Sequence, residues 1–145
     1  MRLWHKDLIS VLPRQQLLSQ WRECCAIASR IKSNGTPGHI LVNEISNYPT
    51  KDFVDYTELV LVEMKKRGYK ISNAALAKFR ANTGNITPAQ ELSPKRRLSL
   101  FYSWHNFRYL QQCFYNLEEK YDRGGITEDE WEKLRNHFNQ LCGSK

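Results

Sequence analysis

The sequence lacks a segment that would cross or anchor in a membrane. No apolar run approaches the ~20 residues that a membrane-spanning helix needs. The first residues, MRLWHKDLISV, place Arg2, Lys6 and Asp7 inside what would be the apolar core of a signal peptide. We therefore expect a soluble intracellular protein without membrane contact. A cytoplasmic protein associated with the nucleoid, or an intracellular protein encoded by a phage, fits this expectation.

Cysteine and histidine spacings that indicate a disulfide framework or a metal site are also missing. The four cysteines contain no C-x-x-C pair, and the four histidines have no spacing typical of metal ligands. We expect free thiols, buried or half-buried, in a reducing cytosol. The sequence predicts neither a metal nor a cofactor. His39 and His105 stay candidate site residues only if folding brings them to a site.

No segment has the pattern of a β-strand, and no repeat or low-complexity tract interrupts the chain. Helical spacing of apolar residues predicts helices at about 13–32, 51–67, 73–82 and 128–142, and one long helix from 93 to about 123. Residues 38–48 are ambiguous between loop and short helix. The expected fold is all-α: a single compact helical domain over residues 1–145, with three long helices and shorter connecting helices.

Capping residues place the starts of several of these helices. Thr50 and Asn73 are each expected to cap the helix that follows, because their side-chain oxygens can accept a backbone N–H. Thr127 and Glu130 have the spacing of a capping box before the last helix. These capping residues predict where the helices begin, which the spacing of apolar residues alone does not determine.

Positive charge is in excess and unevenly distributed. The formal net charge is +7. Residues 1–32 carry six basic and two acidic side chains, and residues 69–110 carry seven basic and one acidic. If these two segments meet in space, they form one basic face suited to a polyanion such as nucleic acid. A basic protein without a nucleic-acid partner would show the same balance.

The segment SPKRRLSLFYSWHNFRYL, residues 93–110, interleaves cations with aromatic residues. Arg96, Arg97 and Arg108 could contact phosphates, and the aromatic rings could stack on bases. A helix with an aromatic core face and a basic outer face would give the same pattern. Both interpretations stay open at the level of sequence.

Two groups near the start of the chain could carry chemistry. A free α-amine has a reference pKa near ~7.7, well below that of lysine, so it is a nucleophile without special burial. Removal of the first methionine requires a small second residue, so Met1 is expected to remain before Arg2. Glu23 falls beside the apolar stripe of the first helix, on a mostly polar flank where a carboxylate is usually solvated.

The first part of the chain also carries a specific motif. In RLWHKDLISVLPRQQLLSQWRECCAI, an RxW opening is followed by RQ-x-LL-x(3)-RE. This motif, with its ungapped spacing from the chain start to Arg22-Glu23, resembles the pyrimidine-dimer DNA glycosylase family. Gly38-His39, the helix end EMKKRGYKI and NLEEK at 116–120 extend the resemblance, which covers about 1–72 well and 105–121 loosely.

The resemblance implies a DNA glycosylase with AP-lyase activity that acts on damaged bases in duplex DNA. The Met1 amine would attack the sugar C1′ and form a Schiff base, and Glu23 would support that displacement. The family pattern makes Gln15, Arg22 and Lys120 candidate DNA contacts. Its partner would be duplex DNA with a damaged or abasic nucleotide, and no obligate protein partner is inferred.

The chain departs from the family pattern at Ala26 and Asn116, where the family has arginines. Arg2, beside the proposed amine, is a further candidate DNA contact. The alternative function is a non-catalytic module that binds DNA or a nucleotide on the same scaffold. A protein-interaction adaptor, in which the basic faces are incidental, is a third class.

Overall fold

Residues 1–143 are described by a computed structural model, and within them the chain forms α-helices and short 3-10 helices and no strand. The expected all-α class is confirmed. No helix in the described range is both long and apolar enough to cross a membrane. The α-helices are α1 (Arg14–Asn34), α2 (Thr50–Lys66), α3 (Asn73–Asn82), α4 (Pro94–Ser99), α5 (Phe107–Asp122) and α6 (Glu128–Gly143), and the 3-10 helices are Lys6–Val11 and Asn43–Asn47.

The core is organised around α1, α2 and the start of the chain. α1 packs against α2 and α3, and the 3-10 helix Lys6–Val11 packs against α2 and α6. Leu3 and Leu8 are as fully buried as Leu17 in the middle of α1. The first residues are therefore part of the core, and the chain start is held where a free terminus would otherwise fray.

The single long helix predicted for residues 93–123 is wrong. The chain instead forms α4, turns between Leu100 and Asn106, and then forms α5. Leu100 and Phe101 are both fully buried, and Phe101 adopts a positive φ of 50°. A residue at positive φ cannot continue a right-handed α-helix, so the helix ends before Phe101. The side chain of Asn106 then restarts the helix by accepting the Tyr109 N–H at 2.9 Å.

Two predicted N-caps are each displaced by one residue. Pro49, not Thr50, occupies the cap position of α2, and no side chain caps this helix. Ser72, not Asn73, caps α3, and its Oγ accepts the Ala75 N–H at 3.2 Å. Helix boundaries inferred from sequence shift easily by one residue. At α3 the neighbouring serine provides the cap, whereas at α2 the shift places a proline, which has no side-chain acceptor, at the cap position.

The capping box before α6 is confirmed. Thr127 Oγ1 accepts the Glu130 N–H at 3.2 Å, and Glu130 Oε1 accepts the Thr127 N–H at 3.1 Å. The second oxygen of Glu130 accepts the Arg14 N–H at 2.8 Å. One carboxylate therefore joins the first turn of α1 to the first turn of α6. The expectation of free thiols is also confirmed.

His5 and His105 lie against each other in an aromatic cluster, with ring centroids 5.1 Å apart. They are only 3% and 4% exposed. Each ring accepts a backbone N–H at Nδ1, from Asp7 and Lys6 respectively, so both rings are neutral with the proton on Nε2. Burial lowers the pKa of His5 to about 4 and holds that of His105 well below its usual value. His105, expected as a possible site residue, is therefore a core residue.

We expect the free energy of unfolding to fall as the pH drops from about 6.5 to about 4. In this window the unfolded chain binds protons that the folded histidines do not, which costs on the order of 1 kcal/mol per pH unit for each histidine. His5→Asn should reduce the pH dependence, because the asparagine oxygen can accept the Asp7 N–H without titrating.

Denaturant midpoints measured between about pH 7 and pH 4.5 check this prediction. His39→Asn, at a half-buried position outside the cluster, is the matched control and should keep the full pH dependence. A midpoint that does not change between about pH 7 and pH 5 would contradict the neutral pair.

Candidate active site

The first residues of the chain run along α1 and are fixed there by the fully buried Gln20. Its Nε2 donates to the carbonyl of Arg2 at 2.8 Å, and its Oε1 accepts the Trp4 N–H at 2.7 Å. This flank of α1 was expected to be solvated, and that expectation is wrong. The start of the chain covers the flank, which periodicity within α1 could not show.

Two buried tyrosines hold the same segment from the other side. Tyr56 of α2 donates its hydroxyl hydrogen to the carbonyl of Trp4, and Tyr109 of α5 donates to the carbonyl of Leu3. Burial raises the pKa of both phenols well above their usual value, so both remain donors at neutral pH. Three helices therefore contribute side chains that position the first four residues.

Glu23 receives the other contacts of this network. Its Oε2 accepts the Arg2 N–H at 3.4 Å and the Gln20 Nε2–H at 3.3 Å. The Met1 nitrogen is one residue away, and one residue spans at most ~3.6 Å. It therefore lies within about 7 Å of the Glu23 carboxylate, a distance that one bridging water and a small movement of the terminus can close.

These residues line an open cavity of about 370 Å³. The volume is in the range of pockets that hold a small molecule or a single nucleotide. The cavity brings together five of the residues predicted from sequence: Met1, Arg2, Gln15, Glu23 and Lys120. Its other walls are Trp4, Gln16, Ser19, Leu41 and Asn116. Glu23 thus shares one cavity with the first residue of the chain and with the cationic residues Arg2 and Lys120.

A family model for pyrimidine dimer DNA glycosylases matches residues 1–76, slightly more than half of the chain. The chain belongs to this family. No curated protein and no solved structure matches it. Because it belongs to this family, the protein is a DNA glycosylase that acts in DNA repair, with DNA as its substrate. The matched range contains Met1 and Glu23, whereas Asn116 and Lys120 of the cavity lie outside it.

Arg22 and Arg108, two further candidates of the glycosylase, do not line the cavity. Arg22 is exposed, and its guanidinium donates to the Oγ of Ser19, which does line it. This contact places Arg22 next to the rim. Arg108 is exposed on the first turn of α5, about two turns before Asn116 on the cavity wall.

The expected open basic face requires a correction at Arg96 and Arg97. Arg96 forms ion pairs with Asp52 at 2.8 Å and Asp55 at 2.9 Å, and Arg97 pairs with Asp7 at 3.0 Å. Neither arginine lines the cavity. Carboxylates that are distant in sequence neutralise these cations in space, so local charge counts overestimated the basic face.

Lys6 is a third cation that stabilises the fold and does not contribute to a basic surface. It is almost fully buried, and its ammonium donates to the carbonyls of Arg97, Leu98 and Leu100 at the end of α4. Burial lowers the pKa of this lysine. Carbonyls at the C-terminus of a helix favour a cation, so Lys6 fastens α4 to the start of the chain.

His39 lies near the cavity, but its side chain hydrogen-bonds to the backbone of its own turn. The histidine is half-buried in the loop after α1, where its Nδ1 accepts the Leu41 N–H at 3.3 Å. Leu41 in turn lines the cavity. The sequence signal at Gly38-His39 therefore marks a turn that shapes one wall, and His39 itself does not line the cavity.

Sequence reasoning missed Gln20, although a signal for it exists. Gln20 stands at helical spacing with Leu17, Cys24 and Ile27, all of which are fully buried. A polar side chain inside such a stripe predicts a buried group that needs partners. The signal was overlooked because Gln16, one turn earlier on the same flank, is also a glutamine.

Replacing Gln20 by leucine should destabilise the glycosylase by on the order of 2 kcal/mol or more, because the buried Trp4 N–H and Arg2 carbonyl lose their partner. Denaturant unfolding measures the change. Gln16→Leu is the matched control one turn earlier, since Gln16 Oε1 is buried without a partner among the described residues. Equal effects of the two substitutions would show that Gln20 holds nothing that Gln16 does not.

Proposed function

We propose that the glycosylase removes damaged bases from duplex DNA with the Met1 α-amine as its nucleophile, and then nicks the strand as an AP lyase. The observation that carries this proposal is the contact between the Arg2 N–H and Glu23 Oε2 at 3.4 Å, at the wall of the cavity. The contact holds the residue after Met1 against a carboxylate at the cavity wall, which supports the terminal amine as the nucleophile. Neither a metal nor a cofactor enters the proposal.

In the first step the neutral Met1 nitrogen attacks C1′ of the damaged nucleotide. A new bond forms between the Met1 nitrogen and C1′ while the glycosidic bond breaks. The base leaves with the electron pair of the broken bond. Positive charge develops on the sugar during this step, and the Glu23 carboxylate is placed to stabilise it. Because Gln20 and the Arg2 N–H both donate to Oε2, the carboxylate has a fixed orientation.

In the second step the sugar ring opens and the amine becomes a Schiff base with C1′. Loss of a proton from C2′ then expels the 3′ phosphate, which breaks the strand. Glu23 is the carboxylate on the cavity wall that can transfer these protons. The amine is finally released by hydrolysis of the Schiff base, so the enzyme is regenerated.

The cations of the cavity would hold the phosphates on either side of the damaged nucleotide. Arg2 lies over the rings of Trp4 and Tyr109, at 5.5 Å and 5.9 Å from their centroids. Lys120 is exposed on the α5 wall. With the exposed Gln15 and the rim residue Arg22, they contact the backbone and not the base in our proposal.

Lys120 is the rival nucleophile, because it is the lysine among the residues that line the cavity. A lysine would form the same Schiff base only if its amine were neutral at working pH. We favour the α-amine because it belongs to the residue before Arg2, whose N–H donates to Glu23. The experiment must therefore separate these two amines.

Blocking the α-amine, by acetylation or by an N-terminal tag, should abolish the borohydride-trapped adduct with an abasic duplex while DNA binding persists. Lys120→Arg, which keeps the charge but removes the amine, should trap at the full rate. Glu23→Gln should lose base removal and keep binding. If the blocked protein traps fully and Lys120→Arg does not, the lysine is the nucleophile. If no form traps while all bind, the chain is a non-catalytic binding module.

Affinity for duplex DNA should fall steeply with salt, because each phosphate contact releases counterions. Arg22→Gln should reduce the salt slope by about one and weaken binding on every sequence. Arg97→Gln should instead lower stability, by loss of its pair with Asp7, and leave the slope unchanged. Binding titrations over a salt series measure both. A slope near zero for the unmodified protein would contradict a phosphate-contacting cavity.

A further inference from the structure

Two aliphatic side chains project into solvent beside the cavity. Ile40 is 85% exposed and Leu41 is 44% exposed, in the turn that follows α1. Both are large enough that burial would stabilise the fold if the chain allowed it. Because the two residues are adjacent, they give this turn an apolar tip at the edge of the cavity.

The turn that carries them is well ordered by its own contacts. His39 N–H donates to Asn43 Oδ1 at 3.0 Å, and Val42 N–H donates to the His39 carbonyl at 3.0 Å. Val42 is fully buried and anchors the turn in the core, and Gly38 provides the positive φ of 67° at its start. The chain thus holds Ile40 outward in a fixed position.

This turn is tied to the chain start. Leu41 lines the same cavity as Met1 and Glu23. The Arg30 guanidinium lies 3.5 Å from the carbonyl of Pro37 and 3.9 Å from the Met1 sulfur. An exposed apolar tip therefore stands at a fixed place beside the proposed nucleophile.

We propose that Ile40 and Leu41 form a wedge that enters the base stack of DNA at the damaged nucleotide. The inference rests on the proposed function, since it assumes that a nucleotide leaves the duplex for the cavity. Such a nucleotide leaves a gap in the stack, and aliphatic side chains are the groups that proteins insert between base steps. The cationic walls hold the phosphates while the tip next to them meets the bases.

A second exposed aliphatic residue provides the control. Leu98 is 76% exposed on α4, and it does not line the cavity. Leu98→Ser therefore removes comparable apolar surface away from the proposed wedge. Ile40→Ser and the double variant Ile40→Ser/Leu41→Ser remove the tip, and Ile40→Leu keeps its apolar character. Ile40→Ser alone cannot disturb the core, because its side chain lies almost wholly in solvent.

The test uses a duplex with one thymine dimer and 2-aminopurine as the neighbouring base, whose fluorescence rises when it unstacks. The unmodified protein should raise the fluorescence on binding. The two serine variants should bind undamaged duplex within about twofold of the unmodified protein, yet lose most of the rise and remove the base roughly tenfold more slowly. Ile40→Leu and Leu98→Ser should behave as the unmodified protein does.

Full fluorescence and full base removal by the double variant would overturn the wedge, and a protein partner for the tip would then be the better explanation. An equal loss of affinity for damaged and undamaged duplex would also overturn it, since the tip would be a general contact. If the unmodified protein unstacks the base without removing it, catalysis by the proposed function fails while the wedge stands. If it neither binds nor unstacks, both fail.

Discussion

The amide of Gln20 is the contact on which the candidate site depends. Its two ends hold Arg2 and Trp4, which belong to a segment without regular secondary structure of its own. Segments at a chain start are ordered only when something ties them down. Since Gln20 also donates to Glu23, one buried side chain sets both the path of the terminus and the orientation of the carboxylate. The positioning of the proposed nucleophile is therefore a property of the core.

A second constraint is how the cationic side chains are divided between contacts within the fold and the cavity. Lys6, Arg96 and Arg97 serve the packing of α4, through carbonyls in one case and carboxylates in the others. Arg2 and Lys120 remain at the cavity. Removing a partly buried ion-pair partner leaves its counterpart unpaired, which is costly, so the first group affects stability. In our proposal the second group faces the space that DNA fills, and there it contributes to binding.

The sequence predicted what is local, and failed where distant segments meet. The capping box at Thr127 is encoded within four residues and is confirmed, and the segment up to Glu23 contains four of the predicted residues that line the cavity. The sequence did not predict the break after α4, because the break arises from the burial of Phe101 against distant residues such as Tyr56 of α2. The spacing of Gln20 with buried residues of α1 signals its burial, but it does not show that the partners of its amide lie in the chain start.

We propose that a fixed Met1 amine, and no lysine, forms the bond to DNA. Mass mapping tests it most directly: the borohydride-reduced adduct with an abasic duplex is digested with nuclease and protease, and the residue that carries the sugar is located. We expect the sugar on the α-nitrogen of Met1, in the peptide that begins the chain. A sugar on the side-chain nitrogen of Lys120, or of any other lysine, would contradict it.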